Sequence, residues 1–471
     1  MHCSSGSRTR IPTLLAAVAV VFTLSVATAE ESKARQVTLP FTEQVLTDGL
    51  DFPWEMLWGP DDMLWVTERQ GLRVTRVDPE TGRKKVAGEI SEAYPGPQHE
   101  GVLGIAFGPG FLKGGSNHLF VYYTLKEKNS DKRWGRLARY TYSPDTEKLS
   151  NPVVILDNLP AGDDHNAGRL RYGPDGKLYL TIGEQGHNQG SNFCLPIEAQ
   201  RIPSVYELEN KNWDAYRGKS LRINLDGSIP ADNPTIRGIK SHVFTYGHRN
   251  PQGLAFVGDM LYSCEQGPSS DDELNLLVPG GNYGWPHVAG FRDGEGYVYA
   301  NYSAASNCSS LPFDPNVIPE GVPVQHELEW FDPDFKPPVK TFYTVRNDHD
   351  YSDSRCGTDH AYLCWPTIAP ASIIHYPMNG AIPEFRGSLL ITTLKTGSLF
   401  QIRLSGDEKE VQGDYSRYFR SRNRLRVAAI DPAGKRIFIA TDKSGGATDE
   451  TGKPAASVRN PGAILVYTYN P

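Results

Sequence analysis

The stretch Gly173–Gly186, "GPDGKLYLTIGEQG", decides the fold. Its Gly-Pro-Asp-Gly opening is turn chemistry: glycine reaches positive φ, proline presets φ, and aspartate bonds to the backbone ahead of it. The aliphatic and aromatic run that follows is too short for a helix and suits a buried strand, closed off by polar residues and another glycine. The same unit returns at 59–71 ("GPDDMLWVTERQG"), 115–124 ("GSNHLFVYYT"), 257–268 ("VGDMLYSCEQGP"), 385–397 ("FRGSLLITTLKTG") and 431–445 ("DPAGKRIFIATDKSG"). Six such units predict an all-β chain, a six-bladed β-propeller with four-stranded antiparallel blades, each unit supplying one strand of one blade. From the repeats alone a generic multi-sheet β protein stays open. The units are unevenly spaced, most widely between Leu261 and Leu389, so long loops are expected there.

Composition agrees with strands and turns. The 471 residues include 46 Gly and 35 Pro, and no long run carries apolar residues at helical spacing. At the N-terminus Arg8 and Arg10 precede an apolar run from Ile11 to Val26 and then Ala27-Thr28-Ala29, which reads as a secretory signal over residues 1–29. The expected mature chain, residues 30–471, is then a single propeller domain, secreted or periplasmic, with no stretch long enough to span a membrane. Losing the signal removes two positive charges and takes the formal net charge from −7 to −9. That acidity argues against nucleic acid as a partner.

Cys194, Cys264, Cys308, Cys356 and Cys364 remain in an oxidising compartment, an odd number. Cys356 and Cys364 are close in sequence around a glycine-containing loop and are expected to pair. The alternative, five buried thiols, stays open.

A propeller brings loops distant in sequence to one end of its channel, so the polar residues after the predicted strands are candidates for the channel mouth: Glu68, Arg69, Glu184, Gln185, Glu265, Gln266, Lys395, Asp442 and Lys443. Three richer clusters stand beside them. In "DDHNAGRL" (163–170) His165 follows Asp163 and Asp164; a carboxylate beside an imidazole fixes its tautomer and lets it take a proton near neutral pH, though a structural histidine fits equally. "YGHRNPQGLAF" (246–256) sets Arg249 and Asn250 in a turn, and "EQGPSSDDELNLLVPGGNYGWP" (265–286) mixes carboxylates with an irregular loop of the kind that offers oxygens to Ca²⁺, without EF-hand spacing. Lys395, Arg424 and Arg426, in "LKTG" and "RNRLR", suggest a pocket for a ligand with several carboxylates or phosphates.

Together with "LTIGEQG.NQ", "YANYSAAS" and "CWPT.AP", these motifs occur in an order that resembles the soluble pyrroloquinoline-quinone (PQQ)-dependent glucose dehydrogenases of the glucose/sorbosone dehydrogenase family, from about Pro53 to the end. The resemblance implies an aldose dehydrogenase that oxidises the anomeric hydroxyl to a lactone with PQQ and Ca²⁺ and passes electrons to an external acceptor. His165 would be the general base, with Asp164 beside it. Arg249 would stabilise developing negative charge, and Arg249, Asn250, Thr367, Lys395, Arg424 and Arg426 would bind the cofactor. His99, Asp164, Tyr362 and Trp365 would meet the sugar. The carbonyls of Gly267 and Pro268 would hold the catalytic Ca²⁺; Ala289 and Phe291 (by carbonyl), Asp293 and Glu327 would hold a structural one near a homodimer interface, and the Cys356–Cys364 disulfide has its counterpart.

Three positions depart from the family pattern. In "QHEGVLG" His99 stands, one residue after Gln98, where the family carries a sugar-contacting Gln. Glu184 in "IGEQG" replaces an Asp, and Val427 replaces an acid after the R-x-R pair. The rival readings are a Ca²⁺-dependent lactonase, which has no use for the Lys395, Arg424 and Arg426 cluster, and a non-catalytic propeller that binds a partner.

Overall fold

The structure, a computed structural model, describes residues 35–471 apart from 316, 353–360, 450 and 456. The expected signal segment and Cys356 lie outside the described residues.

Each of the six predicted units is the second strand of its own blade. Blade 1 is Pro53–Trp58, Leu64–Glu68, Arg73–Val77 and Lys84–Glu89; blade 2 is Val102–Phe107, His118–Lys126, Arg133–Ser143 and Lys148–Pro160. Blade 3 is Leu170–Tyr172, Leu178–Ile182, Lys219–Ile223 and Val243–Tyr246; blade 4 is Pro251–Val257, Met260–Glu265, Asp272–Leu277 and Lys340–Phe342. Blade 5 is Pro370–Tyr376, Ser388–Thr393, Leu399–Arg403 and Ser416–Tyr418, with Arg35–Gln36 added in parallel at its edge. Blade 6 joins Leu425–Ile430, Arg436–Thr441 and Ile464–Tyr469 to the early strand Phe41–Thr47, so the two ends of the chain close the ring in one antiparallel sheet. The wide interval in the sequence is a long excursion between the third and fourth strands of blade 4, followed by another loop before blade 5.

The second strands Leu64–Glu68, Leu178–Ile182 and Ser388–Thr393 are buried along their whole length. A strand covered by neighbours on both faces is apolar throughout instead of alternating, which is why these units stood out in the sequence. The core accordingly lies between blades: Trp65 of blade 1 meets Phe107 and Tyr142 of blade 2 edge-on, and Trp58 lies against Phe438 of blade 6. Inner strands approach so closely that a Cβ on Gly104 would fall 2.4 Å from the Gly168 carbonyl oxygen.

The centre is tied by Arg169. Fully buried, it donates to the carbonyls of Gln252 (2.7 Å), Ala371 (2.9 Å) and Trp54 (3.2 Å), from three other blades, and pairs with Glu55 at 2.8 Å. Burial raises the Glu55 pKa, but the Arg169 and Arg171 charges outweigh it and leave that pKa lowered, so the carboxylate stays ionised.

Cys194, in the loop between the second and third strands of blade 3, is disulfide-bonded to Cys308 in the blade 4 excursion. The sequence had left this pair open. Cys364 is also in a disulfide, while its expected partner Cys356 is outside the described residues; Cys264 is a buried free thiol. Among the described residues no helix is long and apolar enough to cross a membrane.

Candidate active site

His165 sits in the loop that feeds the inner strand of blade 3. Its φ of 42° and Ala167's of 52° are left-handed, a strained backbone for residues with a Cβ. Buried Asn166 holds the loop by donating to the Gly162 (2.7 Å) and His99 (3.0 Å) carbonyls and accepting from the Gly162 N–H (2.9 Å). Gly183 is required opposite, where a Cβ would lie 1.9 Å from the His165 carbonyl oxygen.

The loop delivers an imidazole whose Nδ1 is 2.5 Å from Oε1 of the fully buried Glu184. Glu184 Oε2 accepts from the His187 N–H at 2.7 Å, so the carboxylate is fixed at both oxygens. A carboxylate only accepts, which places the imidazole proton on Nδ1 and leaves a lone pair on Nε2. Nε2 lies 3.3 Å from Gln189 Nε2 and 3.7 Å from Asp164 Oδ2, and Gln189 Oε1 accepts from Arg249 Nη2 at 2.7 Å. Gln189 thus links the imidazole to the guanidinium. It was not singled out from the sequence, although it ends the "LTIGEQG.NQ" motif. Burial raises the Asp164 pKa, but the neighbouring His165 and His99 rings and the hydrogen bonds it accepts outweigh it, so it is held well below the usual carboxylate range.

From Arg249 the network runs on to the cationic residues. Arg249 Nη1 donates to the Gln266 carbonyl (3.1 Å), Asn250 Nδ2 reaches Gln266 Oε1 (3.3 Å), and the Arg249 guanidinium lies over the Trp285 ring. Arg426 binds Asp442 through Nε (3.0 Å) and Nη2 (2.7 Å) and Gln252 Oε1 through Nη1 (2.8 Å), while Arg424 Nε shares Asp442 at 3.3 Å. Lys395, also buried, donates to Thr367 Oγ1 (2.5 Å) and to the carbonyls of Tyr362 and Trp365. Burial lowers the Lys395 pKa, opposed by Asp272. Arg424 and Arg426 share one acid, Asp442, so this pair exceeds its counter-charge, while Lys395 has Asp272 nearby. Buried polar atoms among them lack partners, namely Arg249 Nε, Asn250 Oδ1, Gln252 Nε2 and Trp365 Nε1. Three open donors, Arg249 Nε, Gln252 Nε2 and Trp365 Nε1, with one open acceptor, Asn250 Oδ1, fit a planar, multiply carboxylated ligand.

Beside this pocket Gly267 and Pro268 form a tight loop, in which a Cβ on Gly267 would lie 2.0 Å from the Ser270 carbonyl oxygen. Asp272 ties it to the Thr367 segment: Oδ1 accepts from Gly267 N (2.9 Å), and Oδ2 from Ile368 N (2.5 Å) and Ala369 N (2.8 Å). Among the described residues no cluster of three or more His, Cys, Asp or Glu side chains is arranged to hold a metal. A hard cation at this loop would therefore take the two carbonyls and complete its shell from a bound ligand and water. Ala289, Phe291, Asp293 and Glu327 form a separate group behind the loop. Buried Glu327 accepts from Ala289 N and Gly294 N, each at 3.0 Å, and its pKa is pushed up to about 8, chiefly by burial, with Asp293 and Asp271 adding to it. Glu273 accepts from Gly290 N at 2.6 Å, and burial together with nearby Glu265 raises its pKa.

A pocket of about 580 Å³ is lined among others by Gln189, Arg249, Pro268, Trp285, Tyr297 and Trp365, whereas His165, Lys395, Arg424 and Arg426 are not among its lining residues. Tyr362 is partly exposed at 38%. Hydrogen bonds thus join the expected base, His165, through Gln189 to Arg249, and Lys395 to Thr367 and the Trp365 carbonyl.

Comparison with known proteins decides the family. The model of the family described as Glucose / Sorbosone dehydrogenase matches residues 50–319 and 338–449. The chain belongs to this family. Among its relatives, quinoprotein glucose dehydrogenase B of Acinetobacter calcoaceticus is 43% identical over 439 residues, covering 91% of each chain. The aldose sugar dehydrogenase YliI of Escherichia coli (strain K12) is 28% identical over 411 residues, 86% of this chain and 90% of that one. The PQQ-bound aldose sugar dehydrogenase of Streptomyces coelicolor superposes with a TM-score of 0.60 at 26% identity, over 92% of this chain and 99% of that one.

Proposed function

We propose that the protein is a PQQ- and Ca²⁺-dependent aldose 1-dehydrogenase that converts a sugar with a free anomeric hydroxyl to its lactone. The observation that carries this is the unbroken hydrogen-bonded line from Glu184 through His165 and Gln189 to Arg249, together with Arg424 and Arg426 on their one shared acid, Asp442.

When bound, PQQ supplies the two-electron acceptor and Ca²⁺ a Lewis acid that draws charge from it. Arg249, Asn250, Thr367, Lys395, Arg424 and Arg426 would hold the cofactor, and the Gly267 and Pro268 carbonyls the cation. His165 Nε2 takes the anomeric hydroxyl proton as the hydride leaves C1, and the Glu184 carboxylate at Nδ1 stabilises the resulting imidazolium. Arg249 sets a permanent positive charge where negative charge accumulates. Tyr362 and Trp365 flank the sugar at the mouth. The electrons then pass to an external acceptor.

We further read residues 1–29 as a cleaved signal and 30–471 as one exported propeller domain. Ala289, Phe291, Asp293 and Glu327 would hold a second, structural Ca²⁺. The cation pocket disfavours the lactonase reading, since ester hydrolysis at a metal has no use for it.

The test is dehydrogenase activity of the purified protein with glucose and a redox dye, before and after PQQ and Ca²⁺ are added together. Turnover that needs both supports the proposal. No turnover across a panel of aldoses, with no PQQ binding, overturns it.

A further inference from the structure

The loop that carries Gln189 is tied to the blade 4 excursion at two places. Asn188, the neighbour of Gln189, donates from Nδ2 to the Ala300 carbonyl (2.8 Å) and accepts at Oδ1 from the Tyr302 N–H (2.9 Å). Further along the same loop Cys194, only partly buried, is bonded to Cys308. Beside these ties lies a small apolar cluster separate from the cores between blades. Tyr302, Ala305 and Cys308 are buried in it, Phe193 and Phe313 pack against them, and the Phe193 and Tyr302 rings meet edge-on with centroids 5.8 Å apart. The loop otherwise rests mainly on its own turns, the Asn188 N–H on the Asn192 carbonyl (3.0 Å) and the Asn192 N–H on the Gln189 carbonyl (2.9 Å), and on a bond from Asn192 Nδ2 to Asp163 Oδ1 (3.3 Å). Within the excursion, Val298–Ala300 pairs with Val324–His326 in a two-stranded sheet that joins no blade. Both segments line one pocket, the loop through Asn188 and Gln189 and the excursion through Ala300, Tyr302 and Phe313. Segments with so little buried apolar contact open locally unless they are cross-linked.

We infer that the Cys194–Cys308 disulfide positions Gln189 and makes turnover sensitive to reduction. Intact, it holds Asn188 on Ala300 and Tyr302, and so keeps Gln189 between His165 Nε2 (3.3 Å) and Arg249 Nη2 (2.7 Å). A dithiol attacks one sulfur and gives up two electrons and two protons: the S–S bond breaks, Cys194 and Cys308 become thiols, and the reagent leaves as a cyclic disulfide. The released loop no longer fixes the Gln189 amide, and Arg249 loses the oxygen that Nη2 donates to. Thr367, Lys395, Arg424 and Arg426 make their bonds to other segments, so their hold on the cofactor is spared. The consequence for turnover rests on the function proposed above; the coupling of the two segments does not.

Two measurements test it. Wild type and the double variant Cys194→Ser with Cys308→Ser are each assayed untreated, and again after reduction with dithiothreitol, alkylation and removal of the reagents, before loading with PQQ and Ca²⁺. The double variant and the reduced wild type should both show kcat for glucose about tenfold below the untreated wild type, the scale of one lost hydrogen bond to a charged group, with half-saturation by PQQ within about threefold. Reduction should take nothing further from the double variant. A double variant with kcat within about twofold of wild type overturns the inference, and so does one that loses as much on reduction as wild type does, since the sensitive bond is then that of Cys364. In the protein without PQQ, hydrogen–deuterium exchange over the first minutes should enter peptides covering 187–196 and 299–310 in the double variant but not in wild type, while the strands of the blades stay protected; protection kept at 187–196 overturns the inference. If the loaded wild-type enzyme oxidises no aldose, the proposed function fails, while the exchange pattern still decides whether the disulfide holds the two segments together.

Discussion

The bond between Glu184 and His165 can be broken with one atom exchanged, in Glu184→Gln. Glu184 is fully buried and uses its two oxygens on two donors, His165 Nδ1 at 2.5 Å and the His187 N–H at 2.7 Å. The amide of glutamine has one oxygen and one NH₂. The His187 N–H belongs to the backbone and cannot become an acceptor, so the amide oxygen turns to it and the NH₂ turns to His165. Nδ1 must then accept, the ring proton moves to Nε2, and the lone pair that takes the substrate proton is gone. General-base catalysis is worth roughly 10² to 10⁴ in rate, so kcat should fall by at least about a hundredfold, or about 3 kcal/mol of barrier. The assay is kcat for glucose in the PQQ- and Ca²⁺-loaded enzyme, with thermal unfolding run alongside to show that the neutral isostere folds. Glu184→Asp keeps a pure acceptor on a side chain one methylene shorter and should lose less, about tenfold. A Glu184→Gln enzyme that retained more than a tenth of wild-type kcat would refute the tautomer argument.

The other perturbations act elsewhere in the molecule. His165→Ala should cut kcat at least about a hundredfold while PQQ titration still saturates; a smaller loss removes His165 from the role of base. Arg169→Met leaves Glu55 with Arg171 alone and strands three carbonyls, and should cost about 3 kcal/mol or more, read from the urea midpoint; an unchanged midpoint means that the hub does not stabilise the ring. Cys194→Ser with Cys308→Ser opens a link between positions 114 residues apart and should cost about 2–4 kcal/mol of stability, checked against the wild type under reducing conditions. Glu327, with its pKa raised to about 8, favours the protonated form in the folded state, so the stability it contributes is complete below its ordinary pKa of 4.5 and is lost as pH rises toward 8. Asp271, raised to about 6, acts in the same direction. Without added cation, the Tm of the wild type relative to Glu327→Gln should therefore fall from pH 5 to pH 8, and Ca²⁺ at pH 8 should restore it; a difference between the two that stays flat through this window contradicts the reading.

Much of the fold was legible because its decisive feature is local. The second strands are bounded by turn residues and mostly buried, so each left a short run dominated by aliphatic and aromatic residues. The outer strands left no such mark. Lys148–Pro160 is exposed over its first half and mixes polar with apolar residues, and Phe41–Thr47 completes blade 6 by pairing with Ile464–Tyr469, a partner at the other end of the chain that no local pattern specifies. The Cys194–Cys308 bond escaped for the same reason: its partners are brought together only after blade 3 and the blade 4 excursion have folded.

The site divides along the same line. Motifs located His165, Arg249, Lys395 and Arg426, because chemistry demands those residue types, but they did not separate polar residues that enter the channel mouth from those that only follow a strand. Glu68 and Asp442 occupy equivalent positions after second strands. Glu68 is spent on Arg73 and Thr75 within its own blade, whereas Asp442 neutralises Arg426 and Arg424. Both pairings lie within one blade, and what distinguishes them is the strand that supplies the arginine, the third of blade 1 for Glu68 and the first of blade 6 for Asp442. Gln189 makes the case most sharply: an uncharged residue in a loop carries no sign of function in sequence, yet it is the group that joins the imidazole to the guanidinium. Its role exists only because Glu184 has already committed the His165 proton to Nδ1, leaving an Nε2 lone pair for the amide N–H while the amide oxygen takes Arg249. Residue identity therefore nominated the candidate reacting groups, and hydrogen-bond direction, which needs the folded geometry, found the residue between them.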